Sequence, residues 1–154
     1  MAHGVDWRYT AQVADLTKDA ALRAHVVELL ERAAIAVTPQ RIEIGEALFA
    51  RAQHVSADQV LSAIRAVGST VSKATVYNTL NLFVRKGLAR EVNVDPSRLF
   101  YDSTTTPHHH LFNADTGELC DLPSGAVEFQ RLPELPPGTV AEGIDIVVRV
   151  RNRR

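Results

Sequence analysis

Apolar residues recur at Leu22, Val26, Leu29, Leu30 and Ala33, the three-and-four spacing that predicts an amphipathic helix over residues 17–35. Thr38-Pro39 opens a second helix, with threonine as N-cap and proline at the first helical position, where its missing N–H costs nothing. That helix runs to about Arg51 and buries Ile42, Leu48 and Phe49. Ser56-Ala57-Asp58-Gln59 has the capping-box pattern and starts a third helix, which buries Val60, Leu61, Ile64 and Val67 and stops at Gly68. Ser72 caps a fourth, KATVYNTLNLFVRKG, with Val76, Leu80, Phe83 and Val84 on one face and Gly87 at its end.

The period then changes. Leu88–Val94 and Arg98–Asp102 are rich in β-formers and flank Asp95-Pro96-Ser97, which predicts a hairpin. Residues 103–107, STTTP, read as a hinge. Strands are expected at His108–Asn113 and Glu118–Leu122 around an Ala114-Asp115-Thr116-Gly117 turn, a short helix at Gly125–Leu132, an irregular stretch through Pro133, Pro136 and Pro137, and a last strand at Ile144–Val150. Residues 1–16 hold Trp7 and Tyr9 without a clear period, so an arm or a short helix is expected there. The class is α+β: an N-terminal winged helix-turn-helix domain over 1–102, then a small α/β dimerisation domain over 108–154. The second half is too slight to stand alone, so its sheet is expected to pack on a second copy, and paired reading heads suit a palindromic site.

Composition narrows this little. The chain has 154 residues, 45% of them hydrophobic, enough for a real core, and a net charge of −1 that advertises no nucleic-acid partner. One cysteine, Cys120, excludes an intrachain disulfide and a multi-cysteine zinc site. With no apolar run of transmembrane length and no signal-peptide core, a cytoplasmic chain without membrane contact is expected. Local charge says more. Ser72 to Arg90 carries Lys73, Arg85, Lys86 and Arg90 and no acid, and residues 149–154 carry four arginines. The fourth helix shows Lys73, Tyr77, Asn78, Asn81 and Arg85 outside its apolar face, side chains fit for a major groove. Any amphipathic helix has a polar face, but surface faces usually mix signs.

The candidate chemistry lies in LFYDSTTTPHHHLFNADTGELCD, residues 99–121. On a strand His108 and His110 share one side and His109 takes the other, while Asp102 and Asp121 can close a metal site from neighbouring strands. Nitrogen and oxygen donors suit iron, manganese or zinc rather than copper(I). The bland alternatives are a solvated histidine run or a tag remnant, against which stands the run's internal position after a strand. A metallohydrolase would need an open coordination position beside a substrate pocket, and no such pocket is legible.

TPQR at 38–41, HVSADQV at 54–60, KATVYNTLNLF at 73–83 and HHH at 108–110 together resemble the ferric uptake regulator family of bacterial metal-dependent repressors. The likeness runs from about residue 20 onward and is greatest to the peroxide-stress branch and the related iron- and haem-responsive branch. It implies a homodimeric repressor of a double-stranded DNA operator. The regulatory metal site falls on His54, Asp102, His108, His110 and Asp121, with one Fe(II) or Mn(II) per chain and Zn(II) as an in-vitro substitute. His54, read alone as a surface histidine before a helix cap, joins the set only through this resemblance. Tyr77 and Asn78 are then implied at bases or sugar-phosphate, with Ser72, Lys73 and Thr75 nearer the backbone.

The departures are specific. Asn113 and Thr116 stand where most relatives have a CxxC pair, so no structural four-cysteine zinc is expected. Pro107 and His109 replace a histidine and an aspartate of a further site, leaving one metal site and no role for His109. The peroxide branch implies His54 and His108 as the pair oxidised at bound Fe(II). The competing reading has haem on the HHH run, with Cys120 as a conceivable axial partner but better read as a small buried residue.

Overall fold

The computed structural model describes residues 16–153, and the arm with Trp7 and Tyr9 lies outside them. Four helices, α1 (Leu16–Arg32), α2 (Pro39–Phe49), α3 (Ala57–Ala66) and α4 (Lys73–Arg85), pack around Val26, Leu30, Ile44, Leu48, Val60, Val76, Leu80 and Phe83. The expected caps form: Thr38 Oγ1 accepts from the Arg41 amide, Ser56 and Gln59 make a reciprocal capping box, and Ser72 Oγ accepts from the Thr75 amide. α1 stops at Arg32, short of the predicted Ile35, because Ala34 turns left-handed (φ 53°) and the Ile35 amide folds back onto the Leu30 carbonyl.

The strands make two three-stranded sheets. The first has the order β1 (His54–Val55), β3 (Arg98–Asp102), β2 (Arg90–Asp95), all antiparallel, and is the wing beside the helices. The second has the order β5 (Glu118–Asp121), β4 (His110–Asn113), β6 (Val147–Val150), with β4–β5 antiparallel and β4–β6 parallel. Residues 103–109 connect the sheets.

The structure departs from the sequence reading at Val67, expected to be buried but 85% exposed at the end of α3, and in three further places. β1 escapes the sequence pattern: two residues are too few for a period to show, and pairing with β3 makes them a strand. No helix forms at Gly125–Leu132, where the chain bends and turns over the surface with Phe129 and Leu132 about half exposed. Pro123 and Pro133 bracket it and Gly125 is left-handed (φ 79°), so eight residues have neither the length nor a packing face to offset the cost of helix nucleation. The last strand begins at Val147, not Ile144. Among the described residues, no helix is long and apolar enough to cross a membrane.

Candidate metal centre

Two cross-strand pairs build the site. In the wing His54 lies opposite Asp102, and in the second sheet His110 lies opposite Asp121. His108, on the connection two residues before β4, completes the set, its ring centroid 4.5 Å from that of His110. The position of His54 is held from behind. The Gln53 side chain donates to the carbonyls of Ala47 and Leu48 at the end of α2, while its backbone amide donates to Ser103 Oγ and its carbonyl accepts from the Ser103 amide. That bracket starts β1 directly under the end of β3. Sequence reasoning misses it, because Gln53 and Ser103 carry no signal of their own.

One ligand atom from each of His54, Asp102, His108, His110 and Asp121 lies within 4.8 Å of all the others. His108 Nε2 is 3.0 Å from Asp102 Oδ2 and 3.1 Å from Asp121 Oδ1, and His54 Nε2 is 2.9 Å from Asp121 Oδ1. His54 and His110 stand 3.6 and 3.5 Å from Asp102 Oδ2. These atoms converge without bonding one another: Nε2 of all three histidines and Asp102 Oδ2 are buried with no hydrogen-bond partner. Buried polar atoms are ordinarily paired, so four orphans aimed at one point mark a place for a cation.

The surroundings prepare the same atoms. His108 Nδ1 is 2.7 Å from the Thr106 carbonyl. A carbonyl only accepts, so Nδ1 carries the proton and Nε2 presents its lone pair to the centre. Asp102 Oδ1 accepts from the Thr104 amide at 2.7 Å, which leaves Oδ2 facing inward. Burial alone would raise the Asp102 carboxyl; polar contact from the His110 and His54 rings, the hydrogen bond from the Thr104 amide and the electrostatic pull of the His54 side chain outweigh it and hold it well below the usual carboxylate range. Three imidazoles and two carboxylates without a thiolate fit Fe(II), Mn(II) or Zn(II). The Asp102 side chain is 1% exposed and that of Asp121 49%, so solvent reaches the site along Asp121.

The fourth helix meets its expectations unevenly. Ser72, Lys73, Asn78 and Arg85 are exposed and Thr75 and Tyr77 half-buried along α4. Lys73 pairs with Asp58 of α3 at 2.9 Å, with its ammonium 5.6 Å from the Tyr77 ring centroid. The face is therefore not acid-free in three dimensions, since Asp58 arrives from the neighbouring helix and raises the Lys73 ammonium above its ordinary value. Asn81 turns inward: its Oδ1 accepts from the Tyr101 hydroxyl at 2.8 Å, tying α4 to β3. A groove of about 490 Å³ runs between α3, Tyr77 and the wing, and none of the five clustered residues lines it.

His109 faces away from the cluster and packs edge-on against Phe129, 5.9 Å between centroids. Cys120 is exposed, not buried, and lies on the face of β5 opposite Asp121. Desolvation by its neighbours, then the charges of Glu118 and Asp121, push its thiol up, which keeps it protonated and a poor ligand. Asn113 and Thr116 use their side chains to close the turn: Asn113 Oδ1 accepts from the amides of Asp115 and Thr116, and Thr116 Oγ1 from that of Glu118.

Fold and cluster together define a winged-helix chain whose wing meets a second small sheet at a histidine and aspartate centre. The ferric uptake regulator family model matches residues 32–132, and the chain belongs to that family. It is 32% identical over 96 residues to the peroxide operon regulator of Bacillus subtilis strain 168, covering 62% of this chain and 66% of that protein. To the peroxide-responsive repressor PerR of Staphylococcus epidermidis it is 30% identical over 93 residues, 60% of this chain and 62% of that one. The matches thus span just under two thirds of these relatives' length. The ferric uptake regulator of Pseudomonas aeruginosa, solved with manganese, shares the fold at a TM-score of 0.63 and 24% identity over 84% of this chain and 98% of that one. The Vibrio cholerae ferric uptake regulator does so at 0.64 and 21%, over 81% and 98%.

Proposed function

We propose that this protein is a metal-dependent, DNA-binding transcriptional repressor that senses peroxide, and a regulator rather than an enzyme. The observation that carries the reading is the five-residue cluster, with His54 and Asp102 from the wing sheet and His110 and Asp121 from the second sheet. A cation bound by all five ties the reading head to the other half of the chain. DNA affinity then follows metal occupancy, because occupancy favours the arrangement that the operator selects. The similarity to two peroxide regulators supports the peroxide signal.

Fe(II), if held by His54, Asp102, His108, His110 and Asp121, would supply the reactivity toward peroxide by which one peroxide oxygen adds to a ligand imidazole and the other leaves as water. Each neighbouring group has its own part. Asp121, the exposed ligand, leaves the entry path; Thr104 and Thr106 keep Asp102 and His108 aimed; His54 and His108 are the rings whose loss as ligands would remove the cation's part in holding the wing. On DNA, Tyr77 and Asn78 face bases, while Ser72, Lys73, Thr75 and Arg85 reach phosphates. Asn81 acts through Tyr101 as a positioning residue.

The outer face of the second sheet supports a homodimer. Val148 there is 39% exposed, beside Leu111 and Cys120, and a monomer would leave it wet.

Operator binding with Mn(II), Fe(II), haem and chelator, each with and without peroxide, tests the reading. Mn(II) and Fe(II) should both strengthen binding, peroxide should return it to the chelated level with Fe(II) alone, and mass spectrometry should find a His54 or His108 peptide heavier by one oxygen. Asp102→Asn should lower Mn(II) affinity by on the order of 100-fold, at or above the upper end of what outer-shell changes cost. Equal DNA binding after chelation would overturn the proposal. A Soret band lost on changing His109 or His110 would move the signal to haem.

A further inference from the structure

The wing and the second sheet meet at more than the histidine cluster. A separate buried cluster joins Val92, Val94 and Phe100 of the wing to Phe112 and Leu119 of β4 and β5, each no more than 8% exposed. Phe100 and Phe112 stack tilted with centroids 6.4 Å apart. This second core belongs to neither half, so parting the sheets wets both of its walls. Polar contacts flank it. Arg149 of β6 donates to the Val94 carbonyl, Arg90 of β2 pairs with Asp145 and donates to the Thr106 carbonyl, and the Arg98 guanidinium lies 5.6 Å from the Phe112 ring centroid. None of these groups is a ligand of the centre, and none needs a cation to hold its place.

We propose that this apolar seam, centred on Phe100 and Phe112, is a positioning device that docks the reading head on the second sheet without metal, so that metal tunes a closed arrangement already populated. The proposal rests on the functional reading above, in which closure favours DNA binding. If a fraction of the metal-free protein is already closed, metal can raise DNA affinity at most by the reciprocal of that fraction. A seam that keeps part of the apo population closed therefore limits the metal response. Weakening it has an unusual consequence: DNA binding becomes more dependent on metal, because only the metal-free state loses its hold.

The test uses the full-length chain and a duplex selected from a random library with the Mn(II)-loaded protein. Operator affinity is measured with Mn(II) and after chelation for wild type, Phe100→Ala and Arg149→Ala, with small-angle scattering of each apo protein in parallel. Arg149→Ala removes only a flanking contact and guards against a Phe100→Ala wing that fails to fold. Wild type should respond about 5-fold to Mn(II), the low end of ordinary coupling, and Phe100→Ala should move toward about 100-fold through lost apo affinity, with Arg149→Ala between. The apo scattering of wild type should fit a mixture with about one fifth of the chains in the Mn(II) form, and that of the variants should shift further toward an expanded form. Apo wild type as expanded as the variants, or variants that leave both the ratio and the apo scattering of wild type unchanged, would overturn the seam. Variants more expanded than apo wild type whose DNA affinity nonetheless ignores Mn(II) would uphold the seam and sink the functional reading instead.

Discussion

Tyr101 shows how one residue in the wing serves several purposes. It precedes Asp102 on β3, lies opposite Val55, is 1% exposed, and sends its hydroxyl to Asn81 of α4. Burial first, then the charges of Glu91 and Tyr77, raise its phenol to about 12 from an ordinary 10.0. The sign follows from linkage. Below the unfolded value both states keep the proton and stability is unaffected; above it the unfolded chain ionises first, so stability falls as pH rises from 10 to 12. Chemical denaturation across that window should show a loss of about 2 kcal/mol beyond that of Tyr101→Phe, which lacks the titrating group. The same residue adds a contact that the sequence does not show. Asn81 sits on the polar side of α4 and is legible there as a DNA contact, and only its tertiary neighbour reveals that its carbonyl is engaged.

Helices were legible because their signals are local. Thr38-Pro39, the Ser56–Gln59 box and Ser72 act within one turn, and the apolar stripes of α2, α3 and α4 needed no partner to be seen. What those stripes pack against is another matter. Gly45 lies mid-helix in α2 and looks like a weak point, yet a Cβ there would stand 2.5 Å from Val26 Cγ1 of α1. The glycine is the contact that lets the two helices close. Val26 is β-branched and fully buried, so it has little room to yield. Gly45→Ala gains helix propensity but overpacks this crossing, and we expect a net loss of about 1–3 kcal/mol in a urea melt. Strand ends and short strands fared worse, since β1 exists only by pairing with β3, and the 125–132 segment keeps Phe129 against His109 without forming a helix.

At the scale of the molecule, the two sheets divide their labour by face. His110, Phe112, Leu119 and Asp121 point toward the wing, and Leu111, Cys120 and Val148 point away. The inward side holds the centre and the apolar seam. The outward side is the surface we assign to the second copy, so Val148→Asp should yield monomers in sedimentation velocity while leaving Mn(II) affinity within about 2-fold, because it touches neither centre nor seam.

Periodicity, caps and donor chemistry are properties of short stretches, and they were enough for the winged-helix order and for the nitrogen and oxygen donors gathered in residues 99–121, although His108 lies before β4 and not on it. Convergence is a property of distant segments. His54 stands far from Asp102 in sequence and beside it in the sheet, and no local pattern encodes that pairing. It is decided by Gln53 and Ser103 bracketing β1 under β3, just as the Asp58–Lys73 pair and the Phe100–Phe112 contact are decided by helix and sheet packing. Side-chain chemistry travels with the residue, whereas neighbourhood is conferred only when the whole chain closes its core.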